Sequence, residues 1–109
     1  MEIKTLVYKT SLDREPFSDW RKELEVTTQA IISSRLTRVR SGNLGACKPI
    51  KGYHGLYEIV IDYGPGYRIY YYMENLTVFI ILFGGEKKSQ KRDIEKAYSY
   101  LMDHTGEKS

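Results

Sequence analysis

Tyr57 to Gln90 reads YEIVIDYGPGYRIYYYMENLTVFIILFGGEKKSQ. Two apolar strands flank Gly64-Pro65-Gly66, a third strand follows, and a Gly84-Gly85 corner then leads into Lys87 and Lys88. Tyr63-Gly64-Pro65-Gly66 is a tight turn, because Pro presets φ and Gly supplies a positive φ. Glu74-Asn75 suits a two-residue hairpin connection. Three strands on such short links, expected over residues 56–62, 67–73 and 76–83, must run antiparallel. Side chains alternate across a strand, so Arg68, Tyr70 and Tyr72 share one sheet face with Glu58, Val60 and Asp62. Ile59, Ile61, Ile69, Tyr71, Phe79 and Ile81 form the other face. An Arg, Tyr and Lys surface suits a polyanion better than a small neutral substrate.

Working outward, Ile3 to Tyr8 alternates as a first strand. Pro16 fits a first helical turn, and Phe17, Trp20 and Leu24 follow on one helix face. A second helix is expected from about residue 25 to 40. Ile32, Leu36 and Val39 form its buried stripe, and Ser41-Gly42-Asn43 ends it. The bend near residues 24–26 holds neither Gly nor Pro, so one long helix is the alternative. Residues 44–55 read as a Gly-rich loop carrying Lys48, Lys51 and His54. A last helix is expected over residues 89–103, with Ser89 as N-cap and Ile94, Ala97, Tyr98 and Leu101 facing inward.

The order is β-α-α-β-β-β-α. The fold class is therefore α+β, with the helices covering one face of an antiparallel twisted sheet and leaving the polar, aromatic face open. The chain's 109 residues fit one domain with one core, and residues 106–109 read as a disordered tail. No interior linker or repeat interrupts it.

The net charge of +3 is too small to establish nucleic-acid binding by itself. Its placement says more. Arg35, Arg38, Arg40, Lys48 and Lys51 form one basic run, and Lys87, Lys88, Lys91 and Arg92 form another. Acids cluster early, at Asp13, Glu15, Asp19, Glu23 and Glu25, which suggests one cationic face. The lone Cys47 cannot close an internal disulfide and fits no zinc pattern. The first residues do not read as a signal peptide, and the longest apolar run is too short to span a bilayer. A reducing cytoplasm, with no membrane partner, is the simple expectation.

GNLGACKPIKG, YEIVIDYGPGYRIYY and FGGEKKSQKRDIEKA together resemble the RelE/ParE toxin superfamily, in its HigB-like, addiction-module killer branch. The resemblance covers nearly the whole chain. It implies a small cytoplasmic toxin of a bacterial type II toxin–antitoxin system, and a sheet with helices on one side. Most RelE-like and HigB-like members cut messenger RNA on the ribosome, whereas the ParE branch inhibits DNA gyrase. The implied partners are a helix-turn-helix antitoxin, messenger RNA and the ribosome.

Metal-free RNA cleavage needs a base for the 2′-hydroxyl, cations for the phosphorane and an acid for the leaving 5′-oxygen. The resemblance assigns Arg68 to phosphate stabilisation, a role that suits a planar fork of donors. Lys87 and Lys88 match the family's basic segment, as phosphate ligands or base, and Lys48 matches a Lys common in this branch. His54 and Tyr70 are the candidates for general acid or base. Arg35, Arg38, Lys51 and Lys91 are expected to help bind RNA. No metal and no cofactor are implied. One departure stands out: members commonly read ELRIDYGPGYR where this chain has EIVIDYGPGYR, so Val60 replaces the usual Arg. The loss of one such donor lowers rates by about 10²–10³. Two alternatives therefore stay open: a ParE-type gyrase inhibitor, and a degenerate member that only binds its antitoxin.

Overall fold

A computed structural model describes residues 3–75 and 77–106. The order is β1 (Lys4–Val7), α1 (Pro16–Arg21), α2 (Val26–Arg40), β2 (Cys47–Pro49), β3 (Tyr57–Ile61), β4 (Tyr67–Glu74), β5 (Val78–Glu86), a 3₁₀ turn (Lys87–Ser89) and α3 (Gln90–Thr105). The α+β class holds. The strands form one sheet in the order β1-β5-β4-β3-β2.

The three-strand meander forms as its short links require. Gly66 N–H donates to Tyr63 O at 2.9 Å, and both Gly64 (φ 55°) and Gly66 (φ 84°) take the left-handed backbone the turn demands. Asn75 also has a positive φ, 55°, at the second link. The expected start of the third strand, Leu76, lies outside the described residues. So does the expected tail at 107–109, while Gly106 closes α3 in the left-handed conformation.

The two N-terminal helices are separate, as expected: α1 ends with Lys22 as its C-cap, and α2 begins after Glu25. Three expectations need correction. First, a short strand, β2, lies inside the expected loop and pairs antiparallel with β3. Second, the sheet is mixed, because β1 pairs parallel with β5. Short links dictate direction only for neighbours in sequence, and β1 meets its partner across most of the chain.

The third correction concerns the helices, which cover both faces of the sheet. Phe17 of α1 and Ile32 and Val39 of α2 pack on Ile59, Ile61, Ile69, Tyr71, Phe79 and Ile81, the face expected to be covered. Ala97 and Leu101 of α3 pack on Tyr70, Ile80 and Leu82 of the opposite face. The strand VFIILF is apolar at every position, a pattern that belongs to strands buried on both sides. A bulge in β5 reinforces the division. Tyr70 pairs with Phe83 and Tyr71 with Ile81, so Leu82 is the extra residue. Both Leu82 and Phe83 then join the α3 core.

The two glycines are not a corner. They are the last strand residues before Glu86, and each serves one face. A methyl group on Gly84 would lie 2.5 Å from Trp20 Cε3, and one on Gly85 would lie 2.8 Å from Asp93 Cγ. Neither has a positive φ. They are needed for space: one lets the Trp20 ring lie on the strand, and the other seats the Asp93 carboxyl.

Candidate functional site

The N-terminal half of β4 and the turn before it place Arg68 beside Lys87. Lys87 N–H donates to Gly66 O at 2.9 Å, which ties the 3₁₀ turn to the Gly-Pro-Gly turn. A methyl group on Gly66 would lie 3.3 Å from Lys87 Cβ and 3.9 Å from Arg68 Nη1. The two side chains thus converge over a residue with no side chain of its own. Arg68 Nη1 donates to Tyr67 O at 3.2 Å, which directs the guanidinium back toward that turn.

Glu58 completes the cluster. Its Oε1 lies 3.6 Å from Arg68 Nε, and the two side chains are only 10% and 12% exposed. Gln90 Nε2 donates to the same Oε1 at 2.9 Å, anchoring the first residue of α3 to β3. Lys48 stands directly opposite Glu58 in the β2–β3 ladder, and residues so paired share a face. Val60 pairs directly with Arg68 on that face, as strand alternation requires. A Val stands there, so the site's cations come from Arg68, Lys87 and Lys48.

Beside it, on the same face, lies a buried polar pair. Asp93 sits over Gly85, which is itself the ladder partner of Arg68. Ser89 Oγ–H donates to Asp93 Oδ2 at 2.5 Å. Ser89 does hold the N-cap position of α3, but its hydroxyl makes no capping bond and serves this carboxylate instead.

Tyr70 is fully buried, and its hydroxyl has no hydrogen-bond partner among the described residues. Burial pushes its phenol well above the usual tyrosine range; the charges of Asp93 and Glu58 add to the rise, and Arg68 opposes it. This corrects the expectation of an open-face acid or base. The α3 helix that lies on the second face covers Tyr70 and removes it from any substrate.

His54 is also placed apart from Arg68. It lines a cavity of about 670 Å³ with Tyr53, Leu56, Tyr57, Tyr72 and Met73, at the far end of β4. Tyr72 is four residues from Arg68 along the strand, roughly 13 Å at about 3.3 Å per residue. Arg35 and Arg38 belong to α2, which packs on the opposite face, so the fold does not bring them to Arg68 either. Lys51 is exposed in the β2–β3 turn. Lys88 is 83% exposed, with Nζ 3.6 Å from Glu86 Oε1. It lines a shallow basic groove with Lys91 and Arg92 along the start of α3. Lys88 follows Lys87 directly in the chain, so this groove begins beside that residue.

The sequence reading gave no site role to Glu58, Gln90, Ser89 or Asp93. Glu58 carried a signal: a carboxylate two residues from Val60 on the cationic face demands a partner when buried. Gln90 and Asp93 gave none, since their placement depends on which face α3 takes. Among the described residues, no three His, Cys, Asp or Glu side chains gather to hold a metal ion. Nor, among the described residues, is any helix long and apolar enough to cross a membrane.

No protein-family model matches the chain. An uncharacterized protein of Haemophilus influenzae is 36% identical over 94 residues, covering 85% of this chain and 90% of that one. Among solved structures, a mutant of the Escherichia coli toxin RelE in the free state superposes with a TM-score of 0.68 at 14% identity. The match covers 93% of this chain and 99% of that one. At that identity the likeness is one of fold. The chain belongs to one family with the Haemophilus influenzae protein, and its fold is that of RelE.

Proposed function

We propose that this protein is the toxin of a type II toxin–antitoxin pair, of the HigB-like kind, and that it cuts messenger RNA on the ribosome without a metal ion. The observation that carries the reading is the convergence of Arg68 and Lys87 over Gly66, with Lys48 on the same face. Two cations around one open point form a seat for a phosphodiester. Arg68 offers a fork of donors to the non-bridging oxygens, and Lys87 a point charge beside it. Such donors act most strongly where charge grows in the transition state. The partly buried setting of Arg68 strengthens its field on a bound phosphate. Lys88, Lys91 and Arg92 extend the positive surface along the path a strand of RNA would follow. The RelE-like fold supports the same class, and a helix-turn-helix antitoxin is the partner this branch calls for.

Val60, where the branch commonly has Arg, favours a second reading: a member that still binds its antitoxin but cleaves slowly or not at all. Expression without the antitoxin separates the cases. Growth arrest with cut messages supports the nuclease. Normal growth at confirmed soluble expression supports the degenerate reading. Arrest with intact messages and failed DNA supercoiling would move the protein to the gyrase-inhibitor class.

A further inference from the structure

Cleavage at the Arg68–Lys87 seat needs a proton acceptor, and the structure narrows the choice. Tyr70 is sealed under α3. His54 lies at the other end of β4. Val60, directly across from Arg68, has no proton-accepting group. Asp93 lies on the same face over Gly85, but it is buried and its Oδ2 is held by Ser89. Glu58 remains. It is the one carboxylate within ion-pair distance of Arg68 among the described residues.

Its two oxygens are in different situations. Oε1 receives the Gln90 amide at 2.9 Å and faces Arg68 Nε at 3.6 Å. Oε2 takes part in neither contact. One oxygen is thus anchored from α3 and β4, while the other makes no hydrogen bond among the described residues. This is how a positioned base is built: the side chain is fixed by groups that do not compete for its working lone pair.

We propose that Glu58 is the general base of this site, with Oε2 as the accepting atom. The inference rests on the nuclease reading above. With a phosphodiester on Arg68 and Lys87, the neighbouring ribose 2′-oxygen attacks phosphorus from about 3 Å. Glu58 Oε2 takes the 2′-hydroxyl proton as the new O2′–P bond forms. The P–O5′ bond breaks with its electron pair, and the 5′-oxygen takes a proton from the Lys87 ammonium. The products are a 2′,3′-cyclic phosphate and a free 5′-hydroxyl. Solvent then removes the proton from Glu58 and restores the one on Lys87. Gln90 is a positioning residue in this scheme, acting through Glu58 and not on the RNA.

The test uses the full chain in a reconstituted translation reaction, with cleavage followed by primer extension under single-turnover conditions. Glu58→Gln keeps the shape and an oxygen for the Gln90 amide, so the fold is expected to survive, which circular dichroism checks. Cleavage should fall about 10²–10⁴-fold. If Glu58 is the base, the parent's rate should fall toward acid pH and that of Glu58→Gln should not, and Glu58→Asp should recover part of the rate. Glu58→Gln cleavage within an order of magnitude of the parent overturns the proposal. So does a large loss that keeps the parent's acid limb, which would make Glu58 a support for Arg68. Arg68→Ala reads the seat independently: full activity there, or no cleavage by the parent, sinks the nuclease reading itself, whereas an inactive Arg68→Ala beside an active Glu58→Gln sinks only the base.

Discussion

Gly85→Ala tests the packing that seats Asp93 beside the site. The added Cβ would overlap Asp93 Oδ2, lie 2.8 Å from Asp93 Cγ and lie 3.3 Å from Ser89 Oγ. Carbon atoms prefer about 3.5–4.0 Å, so the carboxyl has to retreat by roughly 1 Å. Overpacking of this kind costs about 1–3 kcal/mol. Asp93 is buried, and retreat also breaks its bond from Ser89; a hydrogen bond to a charged group is worth about 1.5–3 kcal/mol. The expected loss is therefore about 3–6 kcal/mol, a large part of the about 5–15 kcal/mol typical of a folded domain. Urea unfolding followed by Trp20, the single tryptophan, measures it. In an Asp93→Ala background the methyl group has room, and the same substitution should cost no more than about 1 kcal/mol. An equal penalty in both backgrounds would refute the assignment, because the strain would then lie in the strand and not against Asp93.

Four further outcomes follow from the same geometry. Arg68→Ala should abolish cleavage in the reconstituted reaction, and Lys87→Ala should weaken RNA binding while making it less salt-dependent, because one phosphate contact fewer releases fewer counterions. Val60→Arg places a cation opposite Arg68 on the same face; it should raise the cleavage rate, whereas an unfolded variant would show that the position cannot take a charge. Tyr70→Phe removes a buried hydroxyl that has no partner among the described residues, so urea unfolding should show no loss of stability. Stability should also fall in alkali. Burial raises the phenols of Tyr70 and Tyr71 above their ordinary value, so these groups favour folding while protonated. That contribution is complete below the unfolded value of about 10 and is lost above it, at up to roughly 1.4 kcal/mol per pH unit for each tyrosine. Tyr71→Phe should flatten the fall in a urea series across that range.

Local chemistry alone determined the meander. Gly64-Pro65-Gly66 and the Asn75 link leave neighbouring strands no direction but antiparallel, and alternation put Val60, Arg68 and Glu58 on one face. Those relations hold within a few residues, where backbone sterics and the strand period act. The helical stripes were legible for the same reason, down to Ile94, Ala97 and Leu101 on α3. What lay beyond the sequence was where each stripe would dock. An apolar stripe specifies that it is buried but not against which side of a sheet, and a net of buried area decides that only once all elements compete. That choice put α3 over Tyr70 and removed a candidate acid from the surface. It brought Gln90 to Glu58 and Asp93 to Gly85, pairs separated in sequence with nothing local to join them. It left His54 at the far end of β4, and Arg35 and Arg38 on the helix behind the sheet. The residue types of the proposed phosphate seat were therefore written in the chain, while which of them stand together was fixed by which helix closed each face.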